Sequence, residues 1–131
     1  MIRTQFTLYM INRPGELARA TEAFAAAEIN IDGISVAETS DVGLVQLIVS
    51  DAGLARQVLK KADISFSEQR VAILTLPNKP GALAAVASRL AEQNVNINYL
   101  YATTSPLGSA DDCTMVISAD DLEEVEALWE K

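Results

Sequence analysis

One seven-residue stretch occurs twice. Asn12-Arg13-Pro14-Gly15-Glu16-Leu17-Ala18 returns as Asn78-Lys79-Pro80-Gly81-Ala82-Leu83-Ala84, an offset of 66 residues. The same offset carries Asn30-Ile31 onto Asn96-Ile97 and Leu8 onto Leu74. Ile48-Val49-Ser50 meets Val116-Ile117-Ser118 at an offset of 68, so the second copy has two extra residues in its hairpin. A period this long is a whole domain rather than a solenoid unit. The chain of 131 residues is therefore expected to hold two copies of one fold, residues 1–68 and 69–131. Pieces of about 65 residues lie near the lower limit for independent folding. Each copy is expected to lean on the other or on a second chain.

Both copies spell the same order of elements. Residues 4–11 are rich in β-formers and broadly alternating, which predicts a strand. Pro14 has no amide proton for a ladder and Gly15 tolerates turn geometry, so Asn12-Arg13-Pro14-Gly15 ends it. A helix follows, with Leu17, Ala20, Thr21, Phe24 and Ala27 as its apolar side. In the second copy the stripe is Leu83, Val86, Ala87, Leu90 and Ala91. Strands are expected at 31–39 and 97–104, turns at Ser40 to Gly43 and Ser105 to Asp112, and strands again at 44–50 and 113–118. Helices complete each copy at 51–61 and 121–130, the last with Asp120 as its cap and Leu122, Val125, Leu128 and Trp129 as its stripe. Ile64, Phe66, Val71, Ile73 and Leu74 mark an extended segment that closes one copy and opens the next.

This order makes the class α+β: two ferredoxin-like βαββαβ modules in tandem, each with two helices on a four-stranded antiparallel sheet. The second copy runs out of sequence after its second helix and lacks its own fourth strand. Either its sheet has three strands with the 71–77 edge open, or another chain supplies the fourth. Open edges invite pairing, so a homodimer is expected.

Charge and residue usage remove several functions. The net charge is −8, with eight acidic and six basic residues in 1–66 against ten and four in 67–131. No basic footprint for phosphates exists, so nucleic acid is not an expected partner. A single cysteine, Cys113, permits no internal disulfide and reads as a quiet core thiol. The sequence has no histidine, so the usual zinc sites and histidine bases are missing. No metal and no cofactor are expected, and no enzyme activity. Apolar runs fall well short of the roughly 20 residues a membrane span needs, and a cytoplasmic location is the expectation.

The repeated polar residues are the candidates for chemistry. Asn12 and Asn78 sit where a strand turns toward a helix start, whose first amides can receive a carboxylate. Two roles suit them: an Asx-turn that sets up Pro and Gly, or contact with the two ends of an α-amino acid. Gly15 and Gly81 relieve the turn or admit a close neighbour; Pro14 and Pro80 hold its conformation. Asn30 and Asn96 are either helix C-terminal caps or ligand contacts, with Asp32 and Asn98 two residues on, along the same side of a strand. Tyr99, Tyr101 and Thr103 share a strand face where the first copy has Gly33, Ser35 and Ala37. They suit an interface as well as a ligand, and they make the copies unequal.

With these residues in place, the chain closely resembles the tandem ACT-domain proteins, small ferredoxin-like regulatory modules that bind amino acids. The likeness rests on the two Asn-x-Pro-Gly turns together with Ala27-Glu28-Ile29-Asn30-Ile31 and Asn94-Val95-Asn96-Ile97-Asn98. It implies that the turn after the opening strand forms one wall of a ligand site and a neighbouring ACT domain the other. By that resemblance the ligand-binding residues are Asn12, Pro14, Gly15, Glu16, Leu17 and Asn30 in the first copy. In the second they are Asn78, Pro80, Gly81, Ala82, Leu83 and Asn96. Serine-binding members carry a histidine two residues before the turn asparagine; Met10 and Leu76 stand there, which implies a more apolar ligand. The resulting expectation is a non-catalytic regulatory or sensor protein binding a small amino acid at a module or subunit interface. Its alternative is a trans-acting regulatory or protein-interaction subunit, with an enzyme as possible partner and a vestigial ligand site.

Overall fold

The computed structural model describes residues 1–39, 41–103 and 111–129. The expected turn residue Ser40, the expected strand end at 104, residues 105–110 of the expected loop and the expected helix end at 130 lie outside the described residues, as does the Trp129 side chain. The chain divides into two compact units: Thr4–Gln69, here the first module, and Arg70–Lys131 together with Met1–Arg3, the second.

In the first module the sheet is built from β1 (Ile2–Ile11), β2 (Ile31–Thr39), β3 (Val42–Val49) and the opening residues of β4 (Ser65–Pro77). Neighbours run β2-β3-β1-β4, with β3 antiparallel to both β1 and β2. Alternation puts Phe6, Leu8 and Met10 of β1 on one face with Val45, Leu47 and Val49 of β3. The helices α1 (Glu16–Ala26) and α2 (Ala52–Lys61) cover that face with Ala20, Phe24, Ala55 and Leu59. Asp51 caps α2 by accepting the Leu54 amide at 3.0 Å, and Lys60 and Lys61 close it with charge suited to its dipole. Of the expected stripe of α1, Leu17 is exposed and Thr21 half-buried; the buried residues are Ala20 and Phe24.

The second module repeats this plan with the C-terminal part of β4, β5 (Ile97–Thr103), β6 (Asp112–Ala119), α3 (Ala82–Glu92) and α4 (Leu122–Trp129). Leu74, Leu76, Val86, Leu90, Ile117 and Val125 form its core. Leu83, Ala87 and Ala91 of the expected α3 stripe are exposed, because Val86 and Leu90 alone face inward. The cap of α4 is Asp121, which accepts the Glu124 amide at 3.0 Å, rather than Asp120 one residue earlier.

The missing fourth strand comes from the chain's own beginning. The Ile73 amide donates to the Met1 carbonyl at 2.7 Å, and the Met1 nitrogen donates to the Ile73 carbonyl at 3.3 Å. Ile2 packs against the second core. The 71–77 edge is therefore neither open nor dependent on another chain at this point. β1 and β4 are each shared: one end serves one module and the other end the other.

Candidate functional site

Each repeated turn is held by its backbone. The Asn12 amide donates to the Asp41 carbonyl at 3.1 Å, and the Arg13 amide to the Ile11 carbonyl at 2.9 Å. The second copy matches, with Asn78 to Asp111 at 2.8 Å and Lys79 to Pro77 at 2.9 Å. Asn12 and Asn78 thus stand at the centre of three-residue γ-turns. Their exposed side chains make no hydrogen bond to any described residue, so neither forms the Asx-turn that the sequence left open.

Gly15 and Gly81 come next, with φ of 91° and 88°. A Cβ at either would meet nothing within 4 Å, so backbone conformation alone demands glycine there. Neither glycine offers a side-chain cap, and α1 and α3 start directly after them. The amides of Leu17, Ala18, Leu83 and Ala84 consequently have no partner among the described residues, as expected of a first helical turn. A left-handed L-residue costs about 1–2 kcal/mol. Gly81→Ala is expected to lower stability by about that amount, and Gly81→Asn by less, as read from denaturant midpoints.

Beyond the turn the copies diverge. In the first, Glu16 accepts from Arg13 Nε at 3.1 Å and from Arg19 Nη2 at 3.2 Å, and Arg19 Nη1 donates to the Ala62 carbonyl at 3.0 Å. Hydrogen bonds from Arg19 and then Arg13 hold the Glu16 carboxyl below the usual carboxylate range. In the second copy Ala82 replaces Glu16 and Ala85 replaces Arg19. There a concavity of about 320 Å³ opens. Leu76 and Pro77 of β4, the turn residues Lys79, Pro80, Gly81 and Ala82, and Ala85, Val86 and Arg89 of α3 line it. The Arg89 guanidinium donates to the Leu128 carbonyl near the end of α4.

Of the residues singled out from the sequence, Pro80, Gly81 and Ala82 meet in this concavity, while Asn78, Leu83 and Asn96 do not line it. Asn30 and Asn96 are not helix caps: the helix ends are closed by Glu28 and Asn94 at φ 58°. The Asn30 carbonyl instead accepts the Ser50 amide at 2.9 Å, and its side chain donates to Asp32 at 2.7 Å. Asn96 donates likewise to Asn98 at 3.0 Å. Leu17 and Leu83 sit exposed at the same place of both repeats, 39% and 40% accessible. Burial, then the neighbouring Tyr99, raises the Tyr101 phenol above its usual range, so it stays a neutral donor at physiological pH. Cys113 packs against the second core. Arg89 escaped the sequence reading, because it falls outside the repeated motif and pairs with Ala23 across the copies. Its position seven residues after Ala82, two helical turns along one side of α3, was the available signal.

Among the described residues no group of three or more His, Cys, Asp or Glu side chains is placed to hold a metal. No helix of the described residues is long and apolar enough to cross a membrane.

Fold, repeat and turns together define a tandem pair of ferredoxin-like regulatory modules. Residues 1–127 match the ACT domain pair family. The chain belongs to that family. Protein BT0572 from Bacteroides thetaiotaomicron has a similar structure, with a TM-score of 0.90 and 28% identity over 99% of this chain and 88% of that one. The ligand-free regulatory subunit of aspartate kinase from Thermus thermophilus shares the fold at a TM-score of 0.70 and 19% identity, covering 99% of this chain and 91% of that one. Aspartokinase III from E. coli, in complex with aspartate and ADP, shares it at 0.62 and 21% over 95% of this chain and 30% of that one. No curated protein matches the sequence.

Proposed function

We propose that this chain is a non-catalytic, cytoplasmic regulatory protein that binds a small amino acid at its repeated strand–helix turns, with a second copy of the chain closing the site. One observation carries the reading: at the same place in both modules, an asparagine side chain with no hydrogen-bond partner among the described residues precedes a left-handed glycine and helix-start amides likewise unpaired among them. Those amides suit a carboxylate, and an asparagine side chain offers a donor and an acceptor. Asn12, Pro14, Gly15, Glu16, Leu17 and Asn30, with Asn78, Pro80, Gly81, Ala82, Leu83 and Asn96, are the proposed contact residues. Residues 1–68 and 69–131 are the proposed functional modules. Binding would regulate by favouring one of two arrangements, to the extent that affinity differs between them.

A panel of the common amino acids, followed by calorimetry and thermal melting, tests this. One of them should bind saturably and raise stability by about 2.7 kcal/mol at a hundredfold excess over Kd. Asn78→Ala should weaken it. A flat response across the panel up to millimolar concentrations would sink the proposal. The exposed Leu17 and Leu83 favour a second reading, a regulatory subunit acting on an enzyme. That role resembles what the Thermus thermophilus protein is described as. It predicts co-purification with an enzyme whether or not an amino acid is added.

A further inference from the structure

The two copies of the turn have opposite surroundings, and the difference is one of charge as well as space. In the first module the carboxylate of Glu16 lies at the helix start, between Arg13 and Arg19. Arg19 also spans to the Ala62 carbonyl at the end of α2. An internal anion and its two cations thus occupy the region. The second module keeps the helix start and loses that triad, since Ala82 and Ala85 stand where Glu16 and Arg19 do. What remains is the concavity of about 320 Å³, with Lys79 at its turn and Arg89 further along α3. That volume is within the roughly 300–1,000 Å³ range of small-molecule sites.

We infer that this concavity binds a small dicarboxylate, and that Lys79 and Arg89 select it. The inference rests on the reading of the second turn as a ligand site and names the ligand class. Three sources of positive potential border it: the α3 start, Lys79 and Arg89. Among the described residues no carboxylate lines it. A neutral amino acid would offer one carboxylate to these groups and leave one of the two cations without an anion. A molecule with two carboxylates meets both ends of the site and neutralises it. Leu76, Val86 and Ala85 suit a short methylene link between the two charges. The chain carries −8 overall, so this is a local reversal of sign in an acidic protein. Small molecules with two carboxylates are accepted there, while the global field still disfavours polyanions. Glu16 shows the same logic from within, as the first module's own substitute for the bound anion.

Acidic amino acids and 2-oxo diacids share this chemistry, and the experiment separates them. The full chain is titrated calorimetrically with L-aspartate, L-glutamate, 2-oxoglutarate, L-asparagine and L-glutamine. At least one diacid is expected to bind once per chain, about tenfold or more tighter than either amide, as loss of a charge-assisted contact implies. Lys79→Gln and Arg89→Gln should each weaken it by about tenfold or more. Lys79 is exposed, so its variant tests the site even where loss of the Arg89–Leu128 contact loosens α4. Ala82→Glu with Ala85→Arg rebuilds the first module's filling and should abolish binding with the fold intact. Tighter binding of a neutral amino acid, or indifference of diacid binding to both Gln variants, overturns this inference and leaves the amino-acid sensor standing. Binding of 2-oxoglutarate alone supports the inference and removes the amino-acid reading. No binding by any of the five overturns the inference, and the sensor proposal then depends on the wider panel.

Discussion

Phe6→Ala is expected to destabilise the protein by about 3–5 kcal/mol, the range for aromatic truncation in a packed core. Phe6 is fully buried among Leu8, Phe24 and Leu47, and its ring lies 5.8 Å from that of Phe66 at a tilt of 59°. Truncation removes the transfer free energy of the ring, leaves a cavity that a strand-borne position cannot close, and ends the aromatic pair. Domains of this size are stable by about 5–15 kcal/mol in total, so the variant would lose a large share. Urea unfolding followed by circular dichroism measures it. Phe6→Leu should recover most of the loss. A shift below about 1 kcal/mol for Phe6→Ala would show that the first core does not form as described.

Deletion of Ile2 and Arg3 should destabilise the second module by about 2 kcal/mol, although its own core residues all lie beyond position 69. The deletion removes Ile2 from the second core and the strand pairing at Ile73. It also leaves the β4 edge without its neighbour, which invites association through the exposed ladder. Hydrogen exchange at the Ile73 amide is the decisive measurement. Protection there should collapse, while that of Leu47 in the first module's β3 stays close to wild type. Unchanged protection at Ile73 would mean that the chain's beginning does not serve as the fourth strand.

The repeat was enough to read the modules, because a strand, a Pro-Gly break and an amphipathic helix each leave a local mark. The expected strand at 31–39 coincides with β2, and the helix at 51–61 differs from α2 only by Asp51, its cap. Burial on α1 and α3 was less legible. Leu17 and Leu83 have the right spacing for the core, yet each sits in a first turn that the sheet does not reach, so periodicity overcounted them. The source of the fourth strand could not be read at all. Residues 1–3 carry no mark of belonging with residues 70–131, because pairing across seventy positions depends on where β1 and β4 lie and not on local pattern.

The candidate site divides along the same line. Asn-x-Pro-Gly, repeated in register, by itself determined two strand ends, two glycine-tolerant turns and two helix starts, since proline withholds a ladder donor and glycine admits the turn. The γ-turns at Asn12 and Asn78 emerged only in the folded chain. Tertiary structure decided what surrounds each turn. Arg19 spans from the first to the Ala62 carbonyl, 43 positions away, and Arg89 borders the concavity at the second while donating to the Leu128 carbonyl. Such reaches are settled when helices pack, because a long side chain's partner is chosen by proximity in space.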